Sequence, residues 1–188
     1  MIAHIQPPRL ACRLHVALAE SQPLIWRRVL VPHDCTLKRL HQILQIVMGW
    51  TNSHLHEFIV GDDHYAEPHP EYERPMLDHA RHLLGRVAPR CGDRFRYVYD
   101  FGDGWKHDIE VEWIGESPNP IPSCLAGERA CPPEDCGGLY GFYEKLQLAA
   151  DPSLPDPDHI RAWLGPYDPE AFDLAAVNRR LGKFRRRA

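Results

Sequence analysis

The amino-acid sequence predicts a single α+β domain, with a mixed or antiparallel sheet of about five strands, one central packing helix and C-terminal helices. Three observations lead to this prediction. Several segments alternate apolar and polar residues, one segment carries apolar residues at helical spacing, and the last third ends in further helical patterns. At 188 residues, 44% of them hydrophobic, the chain is long enough to bury a core without a metal or a disulfide. We assign residues 1–182 to this domain and residues 183–188 to a basic C-terminal tail.

Five strands are predicted in the first two thirds of the chain. Residues 11–19 alternate apolar and polar side chains, and a short Ser-Gln-Pro link to the next strand favours an antiparallel hairpin. A Gly-Asp-Gly sequence between the last two strands suits the positive φ angles of a tight turn. The four later strands are residues 25–31, 54–60, 94–101 and 106–114. Residues 61–75 are rich in His, Pro and acidic residues and are predicted to form a long surface loop.

The clearest helix runs from Leu37 to Met48, where apolar residues recur at helical spacing. Thr36 is suited to cap its first turn, and Gly49 is suited to end it. Three further helices are predicted at residues 139–150, 160–164 and 171–181. Asp168 followed by Pro169 is the expected start of the last one.

Composition and charge exclude several classes of protein. The formal net charge of -4 argues against a chain that is basic as a whole, so nucleic-acid binding would require a local basic patch. Prolines and polar residues interrupt the N-terminus, and no apolar run reaches membrane-spanning length. We therefore expect a cytoplasmic protein. Its six cysteines are then expected to be reduced, and so free, reactive or bound to metal.

The stretch from Cys131 to Gly138, C-P-P-E-D-C-G-G, has the spacing of half a zinc site. Its two cysteines are separated by four residues, which falls within the usual spacing of such ligands, and Cys124 lies upstream. The sequence therefore predicts a structural zinc ion held by Cys124, Cys131, Cys136 and a histidine. Small buried thiols in a tight proline-glycine loop are the alternative that the sequence leaves open.

His107 is the histidine expected to complete this zinc site. Strand alternation places it on the apolar face with Ile109 and Val111, where an imidazole needs a partner. A core histidine bonded to a carboxylate or a backbone carbonyl is the alternative. The further candidate ligands are His54 and His56, which strand alternation places on one face, and Cys91.

Four phrases of the sequence occur in an order typical of one family. They are P-L-I-W-R-R-V-L-V-P (residues 23–32), L-H-Q-I-L-Q-I-V-M-G-W-T-N-S-H-L-H-E-F (40–58), Y-D-F-G-D-G-W-K-H (99–107) and G-E-R-A-C-P-P-E-D-C-G-G (127–138). With these phrases the chain resembles the plasmid pRiA4b ORF-three-like family over nearly its whole length. The resemblance implies a compact α+β domain associated with plasmids or mobile elements. It implies no catalytic residues.

Acidic residues crowd the second hairpin, as carboxylates do in nucleases that hold metal ions. In the simpler interpretation, Asp103 is a turn residue. The alternating Asp108, Glu110 and Glu112 then lie on a solvated strand face. Asp100, just before the turn, is the one weak candidate for a catalytic residue. No nucleophile elbow, phosphate-binding glycine loop or dinucleotide fingerprint is present.

The chain end is basic and is a weak candidate for nucleic-acid contact. Six basic residues fall within Arg179 to Arg187, enough to contact several phosphates. The alternative is a cationic helix end that complements the helix dipole. The residues concerned are Arg179, Arg180, Lys183, Arg185, Arg186 and Arg187.

Two functions are consistent with these patterns. The first is a non-enzymatic binding or interaction module, connected with a mobile element and stabilised by the structural zinc. Its partner would be a protein or a nucleic acid, with DNA contacted through the basic chain end. The second is a metal-dependent hydrolase or nuclease, or an accessory protein in DNA transactions, acting through Asp100 and the histidines.

Overall fold

The computed structural model of the chain describes residues 9–70, 75–117 and 121–185, and these form one α+β domain with eight strands and five helices. The strands are β1 (Arg9–Leu18), β2 (Trp26–Pro32), β3 (His56–Val60), β4 (Asp63–Ala66), β5 (Leu77–Asp78), β6 (Arg94–Tyr99), β7 (Trp105–Ser117) and β8 (Ser123–Glu128). The helices are α1 (Leu37–Met48), α2 (Leu84–Val87), α3 (Gly138–Ala150), α4 (Ile160–Leu164) and α5 (Leu174–Arg185).

All eight strands form one mixed sheet in the order β5-β4-β3-β6-β7-β1-β2-β8. Within the described ranges, only β4 and β5 pair in parallel; the other neighbours are antiparallel. The predicted β1–β2 and β6–β7 hairpins are confirmed. The expected number of about five strands is wrong. Of the three additional strands, β5 and β8 are the edge strands and β4 lies next to β5; backbone pairing with a neighbour defines such strands, which have little hydrophobic pattern of their own.

Helix α1 has the predicted limits and the predicted caps. The Thr36 hydroxyl accepts a hydrogen bond from the Arg39 N–H, and Gly49 ends the helix with a positive φ of 103°. The helix covers one face of the sheet with its apolar side. Two polar residues of α1, His41 and Gln45, are also buried and reach Tyr97 on β6. This contact places polar side chains inside the core next to β3.

The C-terminal helices match the sequence prediction for α3 and α4, but α5 begins later than expected. Asp168 accepts a hydrogen bond in a turn, from the Glu170 N–H, and Asp173 caps the helix instead through the Ala176 N–H. Residues 183–185 continue α5, so no structural boundary precedes Lys183. The helix packs on β8 and α1. Among the described residues, no helix is long and apolar enough to cross a membrane.

The two faces of the sheet differ sharply in character. The face under α1 carries the hydrophobic core, including Phe95, Tyr97 and Tyr99 of β6. The opposite face carries ion pairs between strands, such as Arg94 with Glu110 on the neighbouring strands β6 and β7, and Arg28 of β2 with Glu112 of β7 across β1. Phe101, Trp113 and Trp163 are large aromatic residues that are substantially exposed.

Candidate functional site

Three separate segments meet at one end of the sheet and bring together a histidine and two carboxylates. The segment between α1 and β3 provides His54, the end of β6 provides Asp100, and the loop before α3 provides Asp135. The His54 Nε2 atom lies 3.3 Å from a carboxylate oxygen of Asp135 and 3.6 Å from one of Asp100. One ligand atom from each residue lies within 4.8 Å of the other two.

The turn that follows β6 fixes the position of Asp100. Its backbone is left-handed, with a φ of 58°, and its N–H donates to the Leu55 carbonyl. The Oδ1 atom accepts from the N–H groups of Gly102 at 3.0 Å and Asp103 at 3.3 Å. The other oxygen, Oδ2, is therefore directed to His54.

The loop from Cys131 to Gly138 is docked onto the same turn. Both carboxylate oxygens of Asp103 accept from the Gly137 N–H, each at 3.2 Å. At Gly138 a Cβ atom would lie 2.5 Å from the Asp103 carbonyl oxygen, and the φ of 68° suits glycine. The indole N–H of Trp50 donates to the Pro132 carbonyl. These contacts join the loop to the hairpin and to the end of α1.

Glu134 holds the tip of this loop next to His54. One carboxylate oxygen accepts from the N–H and the hydroxyl of Thr51, and the other accepts from the Tyr99 hydroxyl. Burial, together with the hydrogen bond to Glu134, raises the pKa of Tyr99, so the phenol keeps its proton and donates it. Asp135, the next residue, is left with a carboxylate that is 75% exposed.

The ligand geometry suits a divalent metal ion. Atoms that bind a tetrahedral ion at about 2.1 Å lie about 3.4 Å from one another, and both His54 distances are close to this value. In the described part of the chain, the buried His54 Nε2 makes these two carboxylate contacts without forming a hydrogen bond of ordinary geometry. Backbone strain concentrates here too, because Asn52, Asp100 and Asp135 all have positive φ without being glycine.

A pocket of about 360 Å³ adjoins this group, and we call it the histidine pocket. His54 lines it, which connects the pocket to the three ligands. The deeper wall consists of His41, His56 and His79, all of them buried, and Lys38 also lines the pocket. Burial lowers the pKa of His41 to about 4 and that of His56 to about 2, and it also lowers the pKa of His79. These imidazoles are therefore neutral at physiological pH.

A chain of hydrogen bonds fixes the tautomer of His41. The Asn52 N–H donates to the Gln45 side-chain oxygen, so the Gln45 amide donates to the Tyr97 hydroxyl. Tyr97 in turn donates to His41 Nδ1 at 2.8 Å, and His41 Nε2–H donates to the Asn52 side-chain oxygen at 2.6 Å. Both ring nitrogens of His41 are thus satisfied within the protein.

The ring of His79 has one nitrogen left over from its contact with His56. His56 stacks on His41 with ring centroids 3.5 Å apart, and its Nε2 lies 3.0 Å from His79 Nδ1. One proton is shared across this contact, since both rings are neutral. The remaining nitrogen, His79 Nε2, is buried and has no hydrogen-bond partner in the described ranges.

Comparison with known proteins places the whole fold in one family. The family model described as "Plasmid pRiA4b ORF-3-like protein" matches residues 10–176. The chain belongs to this family. Uncharacterized protein y4hQ of Sinorhizobium fredii is 40% identical over 168 residues, which cover 88% of this chain and 85% of that protein. The crystal structure of MM3350, a protein of unknown function from Methanosarcina mazei Go1, matches with a TM-score of 0.80 and 32% identity. The match covers 89% of this chain and 97% of that one.

In this pRiA4b ORF-3-like protein, three of the four phrases quoted above contribute the three ligands. His54 lies in residues 40–58, Asp100 in residues 99–107 and Asp135 in residues 127–138. The sequence identified His54 as a candidate metal ligand and Asp100 as a candidate catalytic residue, and the structure brings these two together. Asp135 was not predicted, although it lies inside the cysteine motif, because the spacing of the two thiols is the stronger metal-binding signal there.

The predicted zinc ligands Cys124, Cys131, Cys136 and His107 do not form a comparable group of ligand atoms among the described residues. The Cys124 thiol donates to the Ala126 carbonyl, and His107 Nδ1–H donates to the Tyr97 carbonyl at 3.3 Å. Burial raises the pKa of Cys136 to about 12 and raises the pKa of the other two thiols, so these cysteines are protonated in the metal-free protein.

A buried arginine lies where the sequence predicted a metal. The Arg27 side chain is close enough to Cys124 and Cys131 for its charge to act on both thiols. Its guanidinium donates to the carbonyl groups of four residues, at 2.8 to 3.0 Å, and stacks over Phe172. The four acceptors are Trp26, Val47, Glu128 and Arg129. This cation joins the end of α1 to β8.

The remaining predicted residues lie apart from one another. His54 precedes β3 and contacts the two aspartates, whereas His56 starts β3 and contacts His79, so the expected pair on one strand face is not formed. Cys91 is exposed and donates to the Glu112 carbonyl. Arg179, Arg180 and Lys183 are exposed on α5. The side chain of Arg185, together with Arg186 and Arg187, lies outside the described residues.

Proposed function

We propose that this protein is a metal-dependent hydrolase whose catalytic divalent ion binds His54, Asp100 and Asp135. The observation that carries the proposal is the convergence of the three ligand atoms from three segments within 4.8 Å. One imidazole and two carboxylates suit Zn²⁺ or Mn²⁺.

The exposure of the group favours a catalytic ion over a structural one. Structural zinc sites close their coordination shell with four protein ligands, whereas catalytic sites keep a position for water. Here three protein ligands converge, and Asp135 is 75% exposed. A water bound at the open position would lose a proton near neutral pH and become a nucleophile.

The neighbouring pocket supplies a place for a substrate. His54 belongs both to the ligand group and to the lining of the histidine pocket, so a molecule in the pocket would lie beside the ion. The volume of about 360 Å³ is in the range of small-molecule sites. These features support a small substrate over a long nucleic acid at this site.

Calorimetric titration with Zn²⁺ and Mn²⁺ tests the metal site. We expect one ion per chain for the wild type. Asp100→Asn, which keeps the Oδ1 acceptor of its turn, and Asp135→Asn should each weaken binding at least tenfold. Asp158→Asn changes an exposed carboxylate elsewhere and is the matched control, with unchanged affinity. Equal affinity in all four proteins would refute the site.

Turnover of a panel of phosphate and carboxylate esters, with and without added metal, tests the activity. The proposal predicts hydrolysis that disappears with a chelator, returns with Zn²⁺ or Mn²⁺, and is lost in Asp135→Asn. Metal binding without metal-dependent hydrolysis would instead support the non-enzymatic binding module predicted from the sequence.

A further inference from the structure

We infer that the histidine pocket binds an oxyanionic group of the substrate, held by the Nε2–H of His79 and the ammonium group of Lys38. This inference rests on the proposed hydrolase for its interpretation as a substrate site. It names the substrate class as a small ester that carries a phosphate or carboxylate group.

His79 is the main reason for this inference. The side chain is 1% exposed, lines the pocket and has an Nε2 atom without a partner in the described residues. A buried polar atom left unpaired costs about 1–3 kcal/mol, so a ligand that pairs it gains this energy. The backbone holds the ring in place, because the His79 N–H donates to the Ala66 carbonyl and its carbonyl accepts from the Lys38 N–H.

The internal contact of His79 allows Nε2 to act as a donor. When the His56 Nε2–H donates to His79 Nδ1, the proton of His79 lies on Nε2, the ring nitrogen that is left for a ligand. The reverse arrangement would leave Nε2 as an acceptor. A negatively charged ligand favours the first arrangement, so its binding selects the tautomer.

Lys38 provides a positively charged donor for an anion, because its side chain lines the pocket together with His79. A carboxylate oxygen of Glu67, which also lines the pocket, lies 3.7 Å from the Lys38 ammonium group, and both side chains are substantially exposed. Such a pair is weak, so the ammonium group is available to a ligand. A bound oxyanion would accept from Lys38 and His79 together.

The test measures binding of phosphate and of acetate, separately, to the full chain at neutral pH with a chelator present. Chelation removes the metal, so binding reports the pocket alone. His79→Asn keeps a polar group at the position of Nδ1 and removes Nε2, and it should weaken anion binding at least tenfold. His79→Gln places an amide near the position of Nε2 and should retain more of the affinity.

Lys38→Gln is the second variant, because Lys38 is partly exposed and its replacement does not disturb the core. It should also weaken binding at least tenfold, whereas Lys106→Gln, an exposed lysine elsewhere, should not. Because the chelator removes any metal, the losses in His79→Asn and Lys38→Gln are independent of the metal site, which separates this inference from the proposed hydrolase. The anion that binds more tightly identifies the ester class. Absence of binding by both anions, or full affinity in His79→Asn and Lys38→Gln, would overturn the inference.

Discussion

Arg27 shows how a single buried side chain holds the loop that carries part of the site. Its guanidinium satisfies four carbonyl groups from α1, β2 and the end of β8, and it is 2% exposed. Arg27→Met would leave these acceptors unpaired in the interior. We expect the free energy of unfolding to fall by about 3 kcal/mol or more, measured by urea denaturation. Arg86→Met, at an exposed arginine, should change stability little, and an equal loss in both variants would contradict the assignment.

His107 predicts a particular dependence of stability on pH. Burial lowers its pKa from 6.5 to about 4 in the folded protein, with Arg27 acting in the same direction and Asp108 opposing it. Between pH 6.5 and 4 the unfolded chain therefore binds more protons than the folded one. The contribution of neutral His107 to the free energy of unfolding is fully present above pH 6.5. It falls as the pH drops to about 4, by up to about 1.4 kcal/mol per pH unit.

The variant His107→Asn keeps a donor for the Tyr97 carbonyl and removes this titration. Its unfolding free energy should fall less steeply than that of the wild type between pH 6.5 and 4, whatever its stability at pH 8. His159→Asn is the matched control, because His159 is exposed and its φ of 55° suits asparagine. A slope unchanged by His107→Asn would show that the buried imidazole does not titrate as described.

At the scale of elements, the docking of the Cys131–Gly138 loop on the β6–β7 turn determines where Asp135 lies. Gly138→Ala would force a methyl group to within 2.5 Å of the Asp103 carbonyl oxygen at a positive φ, so the loop must move. We expect metal affinity to fall at least tenfold in calorimetric titration. Gly182→Ala lies in α5 with no atom within 4 Å of the added methyl group. It should keep the affinity and gain about 0.5–1 kcal/mol of stability.

The exposed basic side chains of helix α5 are the part of the described chain on which nucleic-acid binding can be tested. Arg179, Arg180 and Lys183 are exposed on it, although Asp173 lies 3.7 Å from Arg179 and compensates part of the charge. If the basic chain end contacts DNA, replacing these three residues by Gln should abolish retention on a DNA column at low salt. Replacing Arg81, Arg86 and Arg90, three exposed arginines elsewhere, is the matched control. Equal retention of both variants would exclude α5 as the contact.

The elements that the sequence predicted well are those with a strong local signal. Helix α1 has apolar residues on one side and a side-chain cap, and β1, β2, β6 and β7 alternate clearly. By contrast, β4 and β5 belong to a polar stretch, and β8 follows a proline-rich one. The strand character of β8 comes from hydrogen bonds to β2, which is distant in sequence, and that of β4 comes from a hairpin with β3. The start of α5 was wrong for a similar reason, since two aspartates compete as caps and packing on β8 selects Asp173.

At the scale of the whole molecule, the sheet topology assembles the site. Pairing of β3 with β6 places His56 opposite Tyr99, which brings the segment before β3 next to the turn after β6. His54 and Asp100 thereby become neighbours although 45 positions separate their numbers. The sequence identified both residues as interesting but contained no signal that paired them. The buried His41 and His79 were missed entirely, because a lone histidine among apolar residues does not reveal which others it will meet.

The most direct test of the metal site is anomalous diffraction from crystals of the protein soaked in Zn²⁺ or Mn²⁺, collected on both sides of the metal edge. The proposed metal site predicts one strong peak between His54 Nε2 and the carboxylates of Asp100 and Asp135. This peak should be absent in Asp135→Asn. A peak among Cys124, Cys131 and Cys136 would restore the structural zinc suggested by the sequence. That result, or the absence of a peak at His54, would contradict the proposed catalytic centre.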